Sequence, residues 1–139
     1  MSEAPFRVLP RVTPLTEHFW RGGADGELRI LRCQVCATYV HPPAPVCPNC
    51  LSREVVATAV SGRATVHSCT VNHQAWNPTM PTPYVVALVE LEEQTGLRLI
   101  TNIVGCEPQD VHIGMPVEVT FEQHDEVWIP LFAPVGAGA

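Results

Sequence analysis

Through the C-terminal two thirds of the chain, apolar and polar residues alternate with a period of two, the pattern of half-buried strands rather than helices. Val55 to Val60 is one such run, and Arg63 to Val71, opened by Gly62, is a second. Tyr84 to Leu91 is apolar at both parities, which predicts a strand covered on both faces. Glu92 to Gly96 reads as a hairpin turn, with Leu97 to Val104 pairing back. Val117, Val119 and Phe121 alternate with Glu118, Thr120 and Glu122, and Val127 to Phe132 closes the set. Between them Glu107 to Val111 is a helical turn at most, and Gly114 leads into the next strand. Five or six short strands of this kind predict a small closed barrel, because closure removes exposed edges. The OB plan fits that number better than a sandwich, which wants about seven strands.

The N-terminal third is patterned differently. Residues 1–13 form an extended, proline-punctuated arm, followed by a short predicted helix. Thr13 is placed to cap it, Pro14 suits its first position, Glu17 lies in its first turn, and Gly22-Gly23 ends it. The adjacent Phe19 and Trp20 are large for so short a helix and need something to pack on. Leu28 to Arg32 then reads as a strand, Tyr39 to His41 returns, and Pro42-Pro43-Ala44-Pro45 is a stiff connection. The 14 prolines and 9 glycines leave little room for a long helix, so the fold is mainly β. The expected division is an arm and helix over 1–27, a cysteine ribbon over 28–55, a barrel over 56–133 and a flexible tail over 134–139.

Cysteine spacing adds the first chemistry. Cys33, Cys36, Cys47 and Cys50 form C-x2-C-x10-C-x2-C. Two residues between cysteines let both thiolates of a knuckle turn towards one ion, and two knuckles complete a tetrahedron of sulfur. Zinc is the expected metal, with iron the alternative that the same four sulfurs would hold. Four thiolates leave no open position for water or substrate, so the metal is expected to be structural, one per chain. A disulfide reading needs an oxidising compartment, and a redox pair does not need two such motifs. His41 lies between the knuckles and reads as a packing or surface residue. Cys69 and Cys106 sit in apolar strand-like contexts and are expected to be small buried residues.

Charge narrows the partners. A net charge of −6, with eight Lys plus Arg, disfavours binding to phosphate backbones or to anionic membranes. No stretch approaches the ~20 apolar residues of a spanning helix, and the N-terminus lacks the pattern of a signal peptide. The expectation is a cytoplasmic protein with neither nucleic acid nor membrane as partner. The loop over 72–83 carries three prolines together with Trp76 and Met80. Two readings of it stay open: an exposed contact surface, or a Trp76 that folds back to plug one barrel end. Six histidines are present, none in a motif with a nucleophilic Ser or Cys, and His67 and His73 near the loop are the ones weighed for catalysis and set aside.

The helix ending in Phe19-Trp20, the GELRILRC strand, the C-x2-C…PP…C-P-x-C ribbon, PYVVALVELEEQTGLRLITNIVG and the late IGMPVEVTF together resemble the DUF35 family. The resemblance spans roughly Pro14 to Phe132 and implies a rubredoxin-like zinc ribbon followed by an OB-fold. Within the family it is nearest the DUF35 part of actinobacterial MaoC-like hydratase subunits of steroid side-chain degradation. It implies a partner from the thiolase superfamily, a lipid-transfer-protein-like aldolase acting on acyl-CoA, in a hetero-oligomer of two plus two. The family ribbon often has glycine after the second cysteine, where this chain has Ala37, which asks for a slightly different knuckle.

These readings combine into a non-catalytic accessory subunit with no catalytic residues of its own. Phe19, Trp20, Trp76 and Met80 are the expected partner interface. The alternative is a carrier that binds acyl-CoA on the barrel and passes it between a hydratase and the thiolase-like enzyme. In that role Arg63 and Arg98 are the candidate phosphate contacts. A single-strand nucleic-acid module, suggested by fold analogy alone, is opposed by charge and by the few aromatics.

Overall fold

The computed structural model describes residues 8–76 and 78–136. The first seven residues of the arm, Asn77 of the loop and the last three of the tail lie outside the described residues. Helix α1 spans Glu17–Arg21 and continues as a 3-10 helix over Gly22–Asp25. Eight strands follow: β1 Leu28–Cys33, β2 Tyr39–Val40, β3 Val55–Val60, β4 Arg63–Asn72, β5 Tyr84–Leu91, β6 Arg98–Ile103, β7 Pro116–His124 and β8 Val127–Pro134. A short 3-10 helix at Pro108–Asp110 stands where a helical turn was expected.

The helix starts later than the Thr13 cap predicts, and it does not stop at the glycines. Thr13 instead closes the preceding turn, its carbonyl accepting from Glu17 N at 2.8 Å and its N–H donating to Thr16 Oγ1 at 3.0 Å. Gly22 and Gly23 are then wound into the tighter turn, and Gly26, at φ +71°, ends it.

Strands β2, β1 and β3 form a three-stranded antiparallel sheet, and β4-β5-β6-β8-β7 form a closed five-stranded barrel. The run Val55–Val60 that alternation grouped with the barrel therefore belongs to the ribbon sheet, its six residues paired with β1 from Leu28↔Val60 to Cys33↔Val55. Period-two alternation reports a half-buried strand but not which sheet buries it. Gly62 follows, at φ +81°, where a Cβ would collide with Val119 Cγ1. That close approach lets the chain turn from β3 into β4 against β7.

Closure of the barrel is uneven. β5 is paired along its length with both β4 and β6, and β7 with β8 from Val117↔Pro134 to His124↔Val127. The β6–β8 seam is one parallel pair, Ile103↔Phe132, plus the Val104 N–H donated to Phe132 O at 2.9 Å and the buried Thr101 hydroxyl donated to Pro130 O at 3.0 Å. β4 meets β7 only over Arg63–Thr65, and its pairing with β5 shifts by a residue between Val66 and Ser68. Its second half thus has a strand neighbour on one side only. Cys69, expected to be buried, is exposed for that reason, and Cys106 is half-buried.

The core is shared between the two sheets. Leu28 and Ile30 of β1 lie in the same buried cluster as Val66, Val85, Val89, Leu91, Leu99, Val117 and Phe132 of the barrel. Polar contacts repeat the tie: Gln94, in the β5–β6 turn, accepts from Tyr39 N at 2.8 Å and donates back to Tyr39 O at 3.2 Å. Its amide extends the β2 edge as another strand would. Glu93 Oε2 accepts from Ser61 N at 2.7 Å at the ribbon–barrel junction.

Candidate functional site

The metal centre is built by two knuckles with the same backbone plan. In the first, Ala37 N donates to Cys33 O at 2.9 Å and Cys33 N to Thr38 O at 2.8 Å. In the second, Leu51 N donates to Cys47 O at 2.9 Å and Cys47 N to Ser52 O at 2.9 Å. An amide in each also points at sulfur: Cys36 N to Cys33 Sγ at 3.5 Å, and Asn49 N to Cys47 Sγ at 3.4 Å. Ala37 and Leu51 both adopt positive φ, 66° and 65°. Alanine therefore does not alter the knuckle. It takes the left-handed conformation that glycine would adopt freely, at a cost of ~1–2 kcal/mol.

The four sulfurs lie within 4.8 Å of one another, with Cys33 and Cys50 3.5 Å apart and Cys36 and Cys47 3.6 Å apart. A tetrahedral thiolate site with metal–sulfur bonds of ~2.3 Å places its sulfurs about 3.8 Å apart, so the residues fit such an ion. Cys36 is held down to about 5, first by the Asn49 side-chain amide at 3.5 Å and then by Thr38, whose Oγ1 is 3.1 Å away. Cys50, despite the Ser52 amide pulling the other way, is pushed up to about 12 by desolvation and its sulfur neighbours. Four thiolates cannot share this space without a cation among them, and with one bound the coordination sphere is full. The site is a structural metal site.

Helix α1 seats the aromatic pair. Phe19 and Trp20 meet edge to face, centroids 4.8 Å apart, and Phe19 lies 4.9 Å from the His41 ring. His41, between the knuckles, is thus a packing residue. The following turn presses on the barrel at Gly23, where a Cβ would collide with Trp128 Cβ and Phe121 Cδ1. Both Phe19 and Trp20 stay half-buried, with one side turned outward.

This docking places His18 Nε2 and His41 Nδ1 out of solvent with no hydrogen-bond partner. Burial, then the neighbouring His18, pulls His41 down to about 4, and burial, then Arg29, lowers His18. Both rings hold a proton less readily when folded than when unfolded. Their contribution is complete above pH 6.5 and is lost as pH falls from 6.5 towards 4. From His41 we expect a loss of about 1–3 kcal/mol across that window. Denaturant midpoints followed against pH check it: His41→Phe should flatten the slope, and an unchanged slope would exclude His41 as its source.

The remaining predicted residues are dispersed. Trp76 is 78% exposed, so it does not plug the barrel. Met80 is half-buried in a hollow with Pro81, Pro83 and Cys106. Arg98 is engaged by Glu90 across β5 and β6 at 3.1 Å, and this pair, after the Gly96 amide, holds the Glu90 carboxyl below its usual range. Arg63 lines a neighbouring hollow that also contains Glu90 and Glu92. Arg98 is therefore paired with a carboxylate, and the hollow that Arg63 lines holds carboxylates as well as a cation. His67 and His73 are exposed.

One feature was read from sequence in the wrong sense. The outward residues of β5, Val86 and Leu88, are only half-buried, and Ile100 beside them on β6 is 79% exposed. The double-apolar run signals a second face to be covered, but within the described residues nothing covers it.

Fold and site define the class: a four-cysteine, rubredoxin-like metal ribbon joined to an OB-fold barrel. Two family profiles match in succession, the ChsH2 rubredoxin-like zinc ribbon domain over residues 20–56 and the ChsH2 C-terminal OB-fold domain over residues 57–122. The chain belongs to this ChsH2 branch of the DUF35 family. It is 43% identical to a probable enoyl-CoA hydratase alpha subunit of Thermomonospora curvata, over 92% of this chain and 40% of that protein. It is 41% identical to the 3-oxo-4,17-pregnadiene-20-carboxyl-CoA hydratase alpha subunit of Mycobacterium tuberculosis, over 76% of this chain and 33% of that protein. The chain thus spans well under half the length of these two relatives. A DUF35 domain-containing scaffold protein of Methanocaldococcus jannaschii is 39% identical over 69% of this chain and 68% of its own. Among solved structures, a chain of the Ltp2-ChsH2(DUF35) aldolase superposes with a TM-score of 0.82 at 38% identity, covering 91% of this chain and 99% of that one.

Proposed function

We propose that this chain is a non-catalytic accessory subunit that binds and stabilises a lipid-transfer-protein-like aldolase of the thiolase superfamily. The aldolase acts on an acyl-CoA, with the steroid side chain as substrate class, in a two-plus-two assembly. The observation that carries the reading is the nearly end-to-end likeness to a chain of the Ltp2-ChsH2(DUF35) aldolase. The name "scaffold protein" borne by the archaeal relative supports it, and the pregnadiene-carboxyl-CoA in the mycobacterial relative's name supports the substrate class. The metal is zinc, as the name of the ribbon profile and the four-sulfur donor set suggest. A cytoplasmic site accords with this chemistry, because thiolate ligands need reducing conditions. A role as CoA carrier draws less support, since Arg98 is engaged by Glu90 and the hollow at Arg63 holds two carboxylates.

The test is co-expression with a lipid-transfer-protein-like aldolase from the same source, then chromatography with light scattering and a retro-aldol assay. A stable complex, active only with both chains, is expected. Two chains that elute apart would overturn the reading. The proline loop is proposed as part of the contact, because a Trp on a proline-stiffened loop offers a large anchor at small entropic cost. Trp76→Ala should weaken association at least tenfold, ~1.4 kcal/mol, without moving the melting midpoint of the isolated chain. Unchanged affinity, read by titration, removes the loop from the interface.

A further inference from the structure

The outer surface of the barrel presents an apolar face that neither the metal centre nor the proline loop uses. Register aligns two cross-strand rows on it, Ser68–Leu88–Ile100 and Thr70–Val86–Asn102. Phe19 and Trp20 of α1 border the same face, sharing a hollow with Val86 and Ile100. A second hollow, over β4 and β5, shares those two residues, so the pair forms one surface running from the helix across three strands.

Two properties decide what it fits. Not one of the described side chains lining either hollow is charged, on a chain of net charge −6. Such a face offers nothing to a nucleic acid or an anionic membrane, whose attraction is electrostatic. The hollows, ≈ 200 and ≈ 290 Å³, fall short of the roughly 300–1,000 Å³ of small-molecule sites and are open at the surface. An uncharged, mainly aliphatic and aromatic sheet surface is instead the composition of the core of a stable subunit interface, where charged residues are depleted.

We infer that this face, with Ile100 at its centre and Phe19 and Trp20 at its border, is the docking surface for the aldolase subunit. The inference rests on the accessory-subunit reading and adds to it the place of contact. Its occupant is a complementary apolar, uncharged patch on that subunit. Absence of charge on this side makes such a patch the matching partner, because opposing an uncharged face with charge would strand that charge without a counter-ion.

Ile100→Glu tests the assignment. With the side chain 79% exposed, the substitution leaves folding intact, checked by an unchanged melting midpoint. Ile113→Glu, 71% exposed and outside both hollows, is the control. Expected is loss of co-elution with the aldolase for Ile100→Glu, at least a hundredfold weakening, with the control still bound. If wild type and Ile100→Glu bind alike, the face is overturned while the accessory-subunit reading survives. Equal loss in both variants also overturns the face, and failure of the wild type to bind overturns both. An isolated chain that dimerises, and is made monomeric by Ile100→Glu, would assign the face to a second copy and overturn the proposal.

Discussion

Cys47→Ser is expected to abolish metal binding and unfold the ribbon. Cys47 is fully buried, its sulfur accepts from Asn49 N, and its backbone carries both hydrogen bonds that shape the second knuckle. Serine fits the space, but its hydroxyl stays protonated at neutral pH and is a hard oxygen where a soft sulfur is needed. Three thiolates then remain around an incomplete sphere. Structural zinc contributes ~10–16 kcal/mol of apparent folding free energy in small zinc modules, more than a segment of this size obtains from burial. The loss reaches the barrel, because Leu28 and Ile30 of β1 are part of its core, and exposing each costs about 1.5–3 kcal/mol. Elemental analysis should find the metal gone, and backbone NMR should show the signals of residues 28–54 collapsed, with a lower unfolding midpoint for the rest. Full metal content with an unchanged midpoint would mean that Cys47 is not a ligand.

Legibility in the sequence followed the range of the interactions involved. The four-cysteine cluster was readable because each knuckle is a local turn, complete within a few residues, and the spacing encodes it. β5 was placed at its true ends, Tyr84 and Leu91, since turn residues flank a long apolar run. Strand membership was not readable for β3, because its pairing with β1 depends on contacts some thirty residues away along the chain. Ala37 shows a different limit. The preference for glycine at positive φ was legible, but not that the chain would accept the strain and keep the geometry. For the proposed docking surface, the aromatic pair of α1 was visible at once, whereas Val86 and Leu88 read as covered and Ile100 drew no reading of its own. Sequence pattern distinguishes apolar from polar positions, and an apolar surface reads in the same way as a core.

Phe132→Ala is expected to cost about 3–5 kcal/mol, a large part of the ~5–15 kcal/mol of a typical domain. Phe132 is the largest fully buried side chain, and it lies where the barrel closes most thinly. It is paired with Val119 on β7 and, as the single parallel rung, with Ile103 on β6. Elsewhere a lost side chain leaves a ladder of hydrogen bonds to hold the strands. Here two strands share one parallel rung, and the hydrogen bonds across it are the Val104 N–H to Phe132 O and the Thr101 hydroxyl to Pro130 O, so packing around the ring carries much of the closure. A cavity at this point removes the contacts that β6 and β8 make through side chains, and β8 is also the strand on which α1 rests. Chemical denaturation should show the midpoint falling with little change in slope if the barrel stays closed, and a smaller slope if the seam opens in the folded state. Phe132→Leu, which keeps most of the volume, should lose less than about 1.5 kcal/mol. If the alanine variant loses no more than the leucine variant, closure rests on the hydrogen bonds of the seam and not on the ring. The barrel face inferred to dock the partner would then be held in shape by hydrogen bonding rather than by the core.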